Sequence, residues 1–112
     1  MDGHSYLAEV LEVHSGDDLV LMVTTGIPGF YYKTRVRLFG VDTPDAYKNS
    51  NETEAGKVRN KVRALTKNKI CFIEVESLGN PVSGWKVVLY LGLDNTSECL
   101  NTILQDEGYI YR

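Results

Sequence analysis

The spacing of apolar residues along the chain predicts five strands and two helices. Runs rich in alternating or β-branched apolar residues predict strands, and these runs cover residues 6–13, 19–23, 30–39, 70–76 and 85–91. Apolar residues that recur every three or four positions predict helices, one over residues 51–68 and one between residues 95 and 108. Asn51 with Glu54, and Asn95 with Glu98, have the spacing of a capping box at a helix start.

The order of these elements limits the fold. Three strands, a helix, two strands and a helix exclude a regular alternating βαβ sheet, because no helix separates the first three strands. Five strands with a helix between the third and fourth are typical of a small Greek-key barrel of the OB type. The predicted fold class is therefore α+β, mainly β, with a C-terminal helix that ends at Gly108.

Composition favours one globular domain over residues 1–112. The chain is 43% hydrophobic and 24% charged, with a net charge of −3 that argues against a general polyanion-coating protein. Six of the twelve basic residues lie between Lys57 and Lys69, where a solvated helix face is favoured over phosphate contact.

The same composition gives expectations about location. No apolar run reaches the ~20 residues of a membrane-spanning helix, and the first residues lack the pattern of a signal peptide. Cys71 and Cys99 lie in apolar segments and are expected to be reduced, buried thiols. We therefore expect a cytoplasmic monomer without a membrane partner.

Carboxylates at two predicted turns suggest a metal site. Asp17 lies at the tip of the first hairpin and Asp42 lies at the exit of the third strand, so both are expected at one rim of the barrel. Two carboxylates and a backbone carbonyl suit Ca²⁺. Arg37 would face an anion held by that cation, and Asp45 would accept a proton from water, as phosphodiester hydrolysis requires.

These residues form a recognisable pattern. Gly16-Asp17, followed by the run from Arg37 through Asp42, Thr43 and Pro44 to Asp45, resembles the staphylococcal nuclease family over most of residues 8–108. The resemblance implies an OB barrel with calcium ligands at Asp17, Asp42 and the Thr43 carbonyl. It also implies Arg37 as the first catalytic arginine and Asp45 as the general base, where the family has glutamate.

The resemblance weakens near the fifth strand. The family has a second arginine between two glycines, and in Gly84-Trp85-Lys86 this position falls on Trp85. Alternation along a strand is expected to direct Lys86 to the other face, and lysine lacks the bidentate fork that suits phosphate. Loss of one charge-stabilising donor typically lowers the rate by ~10²–10³.

Two main hypotheses follow. The first is a slow calcium-dependent phosphodiesterase that acts on single-stranded DNA or RNA. The alternative is an inactive domain of the same family that binds nucleic acid or a protein partner. OB surfaces bind single strands through aromatic and basic side chains, and the candidates here are Tyr31, Tyr32, Trp85, Arg35 and Lys86. His14 is expected to be an exposed turn residue, and the role of Asp18 stays open.

Overall fold

Five strands and two helices form in the predicted order. The computed structural model describes residues 4–44, 53–78 and 84–110. The elements are β1 (Ser5–Ser15), β2 (Asp18–Thr24), β3 (Tyr31–Leu38), α1 (Glu54–Thr66), β4 (Ile70–Ser77), β5 (Trp85–Tyr90) and α2 (Leu100–Asp106). Each predicted strand is present, and its bounds differ from the prediction by at most two residues at either end.

The strands close into a barrel in the order β1-β2-β3-β5-β4, with β4 pairing back onto β1. All neighbouring strands are antiparallel except β3 and β5, which run parallel. A closed five-stranded barrel with a helix between β3 and β4 confirms the predicted OB-type fold. The parallel pair matters for function because it sets β5 beside the end of β3.

The core lies inside the barrel, where alternate residues of each strand point inward. Leu19, Leu21 and Leu89 are fully buried, as are Val36 and Ile73. Val62 of α1 and Leu100 of α2 join the same apolar cluster. The helices therefore pack on the barrel through the apolar stripes that the sequence predicts.

The predicted caps at the helix starts are wrong. Thr53 caps α1, and its hydroxyl accepts a hydrogen bond from the Gly56 amide at 3.1 Å; Asn51 lies outside the described residues. The α2 helix begins after Cys99 instead of Asn95, because residues 94–97 form their own turn around the Asp94 side chain.

Gly108 ends α2 as predicted. The Tyr109 amide donates to the Leu104 carbonyl at 3.1 Å, and the Gly108 amide donates to the Gln105 carbonyl at 2.9 Å. This pair of bonds defines a Schellman motif, in which the residue after the helix adopts positive φ. Gly108 has φ +100°, a conformation that is accessible to glycine at little cost.

The two ends of the barrel differ in character. Strands β1, β3 and β5 run in the same direction, because β1 and β3 both pair antiparallel with β2 and β5 is parallel to β3. The starts of β1 and β3 therefore share one end, which contains Tyr6 and Tyr32. The start of β5 is shifted along β3, because Trp85 is the register partner of Val36, but its ring reaches these two tyrosines. The Trp85 ring lies 5.9 Å from that of Tyr6 and 5.5 Å from that of Tyr32. We call these three residues the aromatic end.

The opposite end contains the β1–β2 turn and the segment that follows β3. Helix α1 packs against this end: a Cβ placed on Gly16 would lie 2.5 Å from Cγ1 of Val58, and the Arg63 guanidinium donates to the Val13 carbonyl at 3.2 Å. We call this region, with Asp17, Arg37, Asp42 and Thr43, the polar end.

The cysteines and the helices bear on the expected thiol state and on the expected absence of a membrane span. Both cysteines are free thiols; Cys71 is fully buried, which raises its pKa to about 11, and Cys99 is half-buried. Among the described residues, neither helix has the length and apolar character that a membrane crossing requires.

Candidate active site at the polar end of the barrel

Backbone hydrogen bonds hold the polar end together. The Leu38 amide donates to the Asp17 carbonyl at 3.0 Å, which ties the β1–β2 turn to the end of β3. The Asp42 amide donates to the Tyr109 carbonyl at 3.2 Å, and Val41 forms an isolated bridge with Ile110. The segments that carry Asp17 and Asp42 are therefore each fixed by a contact distant in sequence.

Asp17 is a buried carboxylate, 4% exposed. Its Oδ1 accepts a hydrogen bond from the Thr43 hydroxyl at 2.9 Å, and its Oδ2 lies 3.5 Å from Nη2 of Arg37. Burial raises the pKa of Asp17 above its ordinary value, because the Thr43 hydrogen bond and the Arg37 charge offset only part of the desolvation. A carboxylate kept in such surroundings is typical of functional sites.

Asp18 has a structural partner that the sequence did not reveal. Arg35 contacts both of its oxygens, with Nε donating to Oδ1 at 2.9 Å. This bidentate pair joins β2 to β3, and Nη1 of Arg37 lies 4.0 Å from the same carboxylate. Arg35, a candidate for nucleic-acid contact, thus directs its guanidinium toward Asp18, whose side chain is 9% exposed.

An open groove of about 540 Å³ runs over the polar end. Its floor brings together three of the predicted site residues, Asp17, Arg37 and Thr43, with exposed Asp42 at its edge. An adjoining depression of about 500 Å³ shares Asp17, Arg37 and Asp42 with the groove and adds Lys86 and Phe39. Arg37 therefore stands where the two concave surfaces meet.

Lys86 lies beside Arg37, contrary to the sequence-based expectation. In the parallel pairing of β3 and β5, Arg37 is the register partner of Lys86, and Val36 is the register partner of Trp85. Partners in register project to the same side of a sheet, so Lys86 projects outward with Arg37. Alternation separates Lys86 from Trp85 as expected, but the shared face is the one that carries Arg37.

Trp85 belongs to the aromatic end and not to the groove. Trp85 lies on the same face of β5 as buried Val87 and Leu89. Its ring therefore points into the mouth of the barrel, where it stacks on Tyr6 and contacts Tyr32. The family resemblance puts Trp85 in the position of a second arginine, but the Trp85 ring does not lie beside Arg37 in the groove.

The two remaining tyrosine candidates are separated. Tyr31 is 62% exposed, and its side chain projects outward from β3 like those of Lys33, Arg35 and Arg37. Tyr32 has the inward parity and packs on Trp85, although half of its surface is exposed. Of the two, Tyr31 is the one that shares the outer face of β3 with the cations.

The donor set at the polar end suits a hard cation. Asp17 and Asp42 offer carboxylate oxygens and Thr43 offers a carbonyl, the type of ligand that Ca²⁺ prefers; the Thr43 hydroxyl itself is engaged by Asp17. In the part of the chain that the structure describes, no three His, Cys, Asp or Glu side chains form a metal site by themselves. Asp45, the predicted base, lies outside the described residues.

No family model matches this chain, and a search of curated proteins finds no match to it. The resemblance to the staphylococcal nuclease family therefore depends on the residues named above.

Two features of the site escaped the sequence analysis. The pairing of Asp18 with Arg35 joins positions 17 residues apart, and nothing in the local sequence marks it. The pairing of the third and fifth strands is expected for an OB barrel. The position of Lys86 beside Arg37 could not be predicted from this pairing alone, because it also depends on the register between the two strands.

Proposed function

We propose that this protein is a slow calcium-dependent phosphodiesterase that cleaves single-stranded DNA or RNA, acting as a monomer in the cytoplasm. The observation that carries the proposal is the position of Arg37. It stands between buried Asp17 and the groove edge at Asp42, with its side chain 42% exposed, so that it faces both a candidate cation site and open solvent.

The metal ligands in this proposal are Asp17, Asp42 and the carbonyl of Thr43. The desolvation of Asp17 supports a cation here, because a nearby positive charge stabilises the ionised form of a buried carboxylate. A bound calcium ion would supply Lewis-acid polarisation of a phosphoryl oxygen.

The chain's own residues bind and orient the phosphodiester. Arg37 makes one weak contact with Asp17 at 3.5 Å and retains N–H donors for a phosphate. Lys86, on the neighbouring strand, adds a second positive charge to the same concave surface. A lysine binds phosphate as a point charge without the fork of an arginine, which is the reason we expect slow turnover. Asp45 serves as the base that takes a proton from the attacking water.

Cleavage of a labelled single-stranded oligonucleotide tests the proposal. Wild-type protein should cleave with calcium and stop with chelator, and Arg37→Ala and Asp42→Ala should each lower the rate by ~10²–10³. Lys33→Ala is the matched control, since Lys33 lies on the same face of β3 outside the groove. A thermal melt of each variant separates loss of chemistry from loss of fold.

Equal cleavage with calcium and with chelator would reject the calcium-dependent mechanism. Equal loss of rate in Lys33→Ala would show that the effect comes from general charge and not from the site.

A non-catalytic binding domain is the second candidate, for nucleic acid or for a protein partner. Tyr31 favours nucleic acid, because its exposed ring lies on the same outer face as Lys33, and bases stack on such rings along basic surfaces. This candidate predicts salt-sensitive oligonucleotide binding without cleavage. Tyr31→Ala should weaken that binding, whereas Leu93→Ala, at an equally exposed apolar residue, should not.

A further inference from the structure

A second cleft lies next to the groove, between the end of β1 and the last turns of α1. It has a volume of about 380 Å³ and is lined by His14 of β1, Arg63 of α1 and Lys67, which follows α1. His14 lines both this cleft and the groove at the polar end. The two concave surfaces are therefore adjacent, with His14 at their shared boundary.

Arg63 is held in this cleft by two contacts. Its Nη2 donates to the Val13 carbonyl at 3.2 Å, and its Nη1 donates to Oδ1 of Asn60 at 3.3 Å. A guanidinium carries five N–H donors, so three remain for a ligand. The side chain is thus oriented before any ligand arrives, which lowers the entropy lost on binding.

The backbone of β1 is irregular at the same place. Register shifts occur in its pairing with β2 between Val10 and Glu12 and between Val13 and Ser15. Such bulges change the direction in which side chains project. Glu12 is the single acid among the cleft residues, and its Oε1 lies 3.9 Å from Nε2 of His14.

Stabilisation of the helix end explains only part of this arrangement. Lys67 is the C-cap residue of α1 and Arg63 lies in its last turn, where cations favour the helix dipole. That effect requires neither the reach of Arg63 to β1 nor the location of His14. Two cations and an imidazole around one cleft instead match the chemistry of a phosphate-binding subsite.

We propose that this cleft binds a backbone phosphate of the single-stranded substrate beyond the groove. The proposal rests on the proposed function, and it specifies the course of the strand: from the groove, past His14, to Arg63 and Lys67. The scissile phosphate lies at Arg37, so this subsite holds a neighbouring nucleotide and is unused by the shortest substrates.

Binding of oligothymidylates of two and ten nucleotides, measured by fluorescence anisotropy in calcium and in chelator, tests this subsite. The variant pair Arg63→Gln/Lys67→Gln should bind the two-nucleotide probe as wild type does and the ten-nucleotide probe more weakly. Because a single strand contributes about 0.7 to the log–log salt slope per neutralised phosphate, and the cleft holds one phosphate, the slope should fall by about 0.7. The drop in affinity between 50 and 200 mM salt should then be roughly 2.6-fold smaller than in wild type.

The matched control is Lys57→Gln/Lys69→Gln, which removes the same charge from exposed positions outside the cleft. An equal loss of affinity and slope in the control pair would overturn the subsite, since general electrostatics would then explain both. Lys67→Gln alone leaves the contacts of Arg63 with Val13 and Asn60 in place. It should lower the slope by part of this amount, so that a folding defect caused by the loss of Arg63 can be distinguished from loss of the subsite.

Competition with inorganic phosphate separates a strand subsite from a site for the free ion. Millimolar phosphate could displace the ten-nucleotide probe equally well from the wild type and from the cleft variants. Free phosphate would then bind elsewhere, and the strand subsite would be supported. Phosphate competition that the cleft variants abolish, together with unaltered binding of the ten-nucleotide probe, would overturn it. If the wild type does not cleave but the cleft variants lose the length-dependent binding as described, the proposed function fails while the subsite is supported. If the wild type cleaves but the cleft variants bind both probes as the wild type does, the subsite fails while the proposed function stands.

Discussion

The two ends of the barrel have opposite chemistry on the same set of strands. At the aromatic end, Tyr6, Tyr32 and Trp85 pack ring against ring at the mouth of the core. At the polar end, Asp17 and Asp18 are buried carboxylates whose compensating charges come from arginines that are partly exposed. Aromatic packing adds to the burial of apolar area, whereas burial of a carboxylate opposes folding unless its partners offset the desolvation.

This difference suggests that one end of the barrel contributes mainly to stability and the other holds the proposed site. The aromatic end contributes stability, and its three defining side chains carry no carboxylate, imidazole or thiol. The polar end buries the carboxylates of Asp17 and Asp18, which lowers the free energy of unfolding unless their partners offset the desolvation. Such a cost is consistent with the proposed site. Substitutions at the two ends should therefore separate stability from activity.

The largest effect is expected for Trp85→Arg. The family resemblance suggests that an arginine here would restore a second phosphate ligand, but the structure puts this side chain at the barrel mouth. Loss of the indole and introduction of a cation should lower the free energy of unfolding by about 3 kcal/mol or more. Urea denaturation measures this, with Trp85→Phe as the control that retains an aromatic ring. A stable Trp85→Arg protein with a raised cleavage rate would contradict the assignment of Trp85 to the aromatic end.

Gly16→Ala should give the next largest effect. The added Cβ would lie 2.5 Å from Cγ1 of Val58 and 2.9 Å from Cγ2 of Thr43, and overpacking of this kind costs about 1–3 kcal/mol. The double variant with Val58→Ala makes room for the methyl group, so the two changes should be less destabilising together than the sum of their separate effects. Strict additivity in this cycle would show that α1 does not pack on the turn as described.

Lys86→Arg should raise the proposed activity at the polar end without a change in stability. Its register partnership with Arg37 gives the new guanidinium access to the same phosphate, and a bidentate donor should raise the cleavage rate about tenfold, or ~1.4 kcal/mol in transition-state stabilisation. Lys33→Arg is the matched control on the outer face of β3. An unchanged rate for Lys86→Arg, with wild-type thermal stability, would remove Lys86 from the proposed phosphate site.

Asp17→Asn should give the smallest change in the free energy of unfolding, and it should stabilise the protein, whereas Trp85→Arg and Gly16→Ala destabilise it. The pKa of Asp17 is raised in the fold, so its protonated form is favoured there: its contribution is fully present below the unfolded value near 3.8 and is lost as pH rises through the folded pKa. Without metal at neutral pH, the amide should therefore stabilise the protein by about 0.5–1 kcal/mol.

Thermal melts in chelator from pH 3 to pH 8 measure this effect. The advantage of Asn should vanish at the acid end and grow with pH, while added calcium should stabilise the wild type only. A destabilised Asp17→Asn protein at neutral pH would show that the Arg37 and Thr43 contacts outweigh the desolvation of Asp17.

Apolar patterning was sufficient to predict the strands, the barrel and the helix faces, because the inward positions of each strand bury the same residues that alternate in the sequence. The helix starts were wrong where local competition decided the outcome. Thr53 is one residue before α1 and offers its hydroxyl to Gly56, and the turn around Asp94 removes Asn95 from capping.

The grouping of the candidate ligands with Arg37 was predictable from the sequence, but the position of Lys86 was not. Asp17, Arg37, Asp42 and Thr43 share one groove, as the turn positions suggest. The pairing of Arg35 with Asp18 and of Lys86 with Arg37 depends on contacts between strands that no local pattern encodes. The calcium ion, the substrate and the activity stay predictions.

The bridge between Val41 and Ile110 has a consequence for the order of folding. These residues are 69 positions apart, and together with the bond from the Asp42 amide to Tyr109 they fix the segment that carries Asp42. Contacts of large sequence separation form late, because closing a long loop costs entropy before the contact compensates for it. A chain that has formed only its β1–β2–β3 meander would hold Asp17 next to Arg37 but would leave Asp42 unanchored. The proposed calcium binding should therefore appear during refolding only after the barrel hairpins form, and its onset would mark the docking of the segment that follows α2.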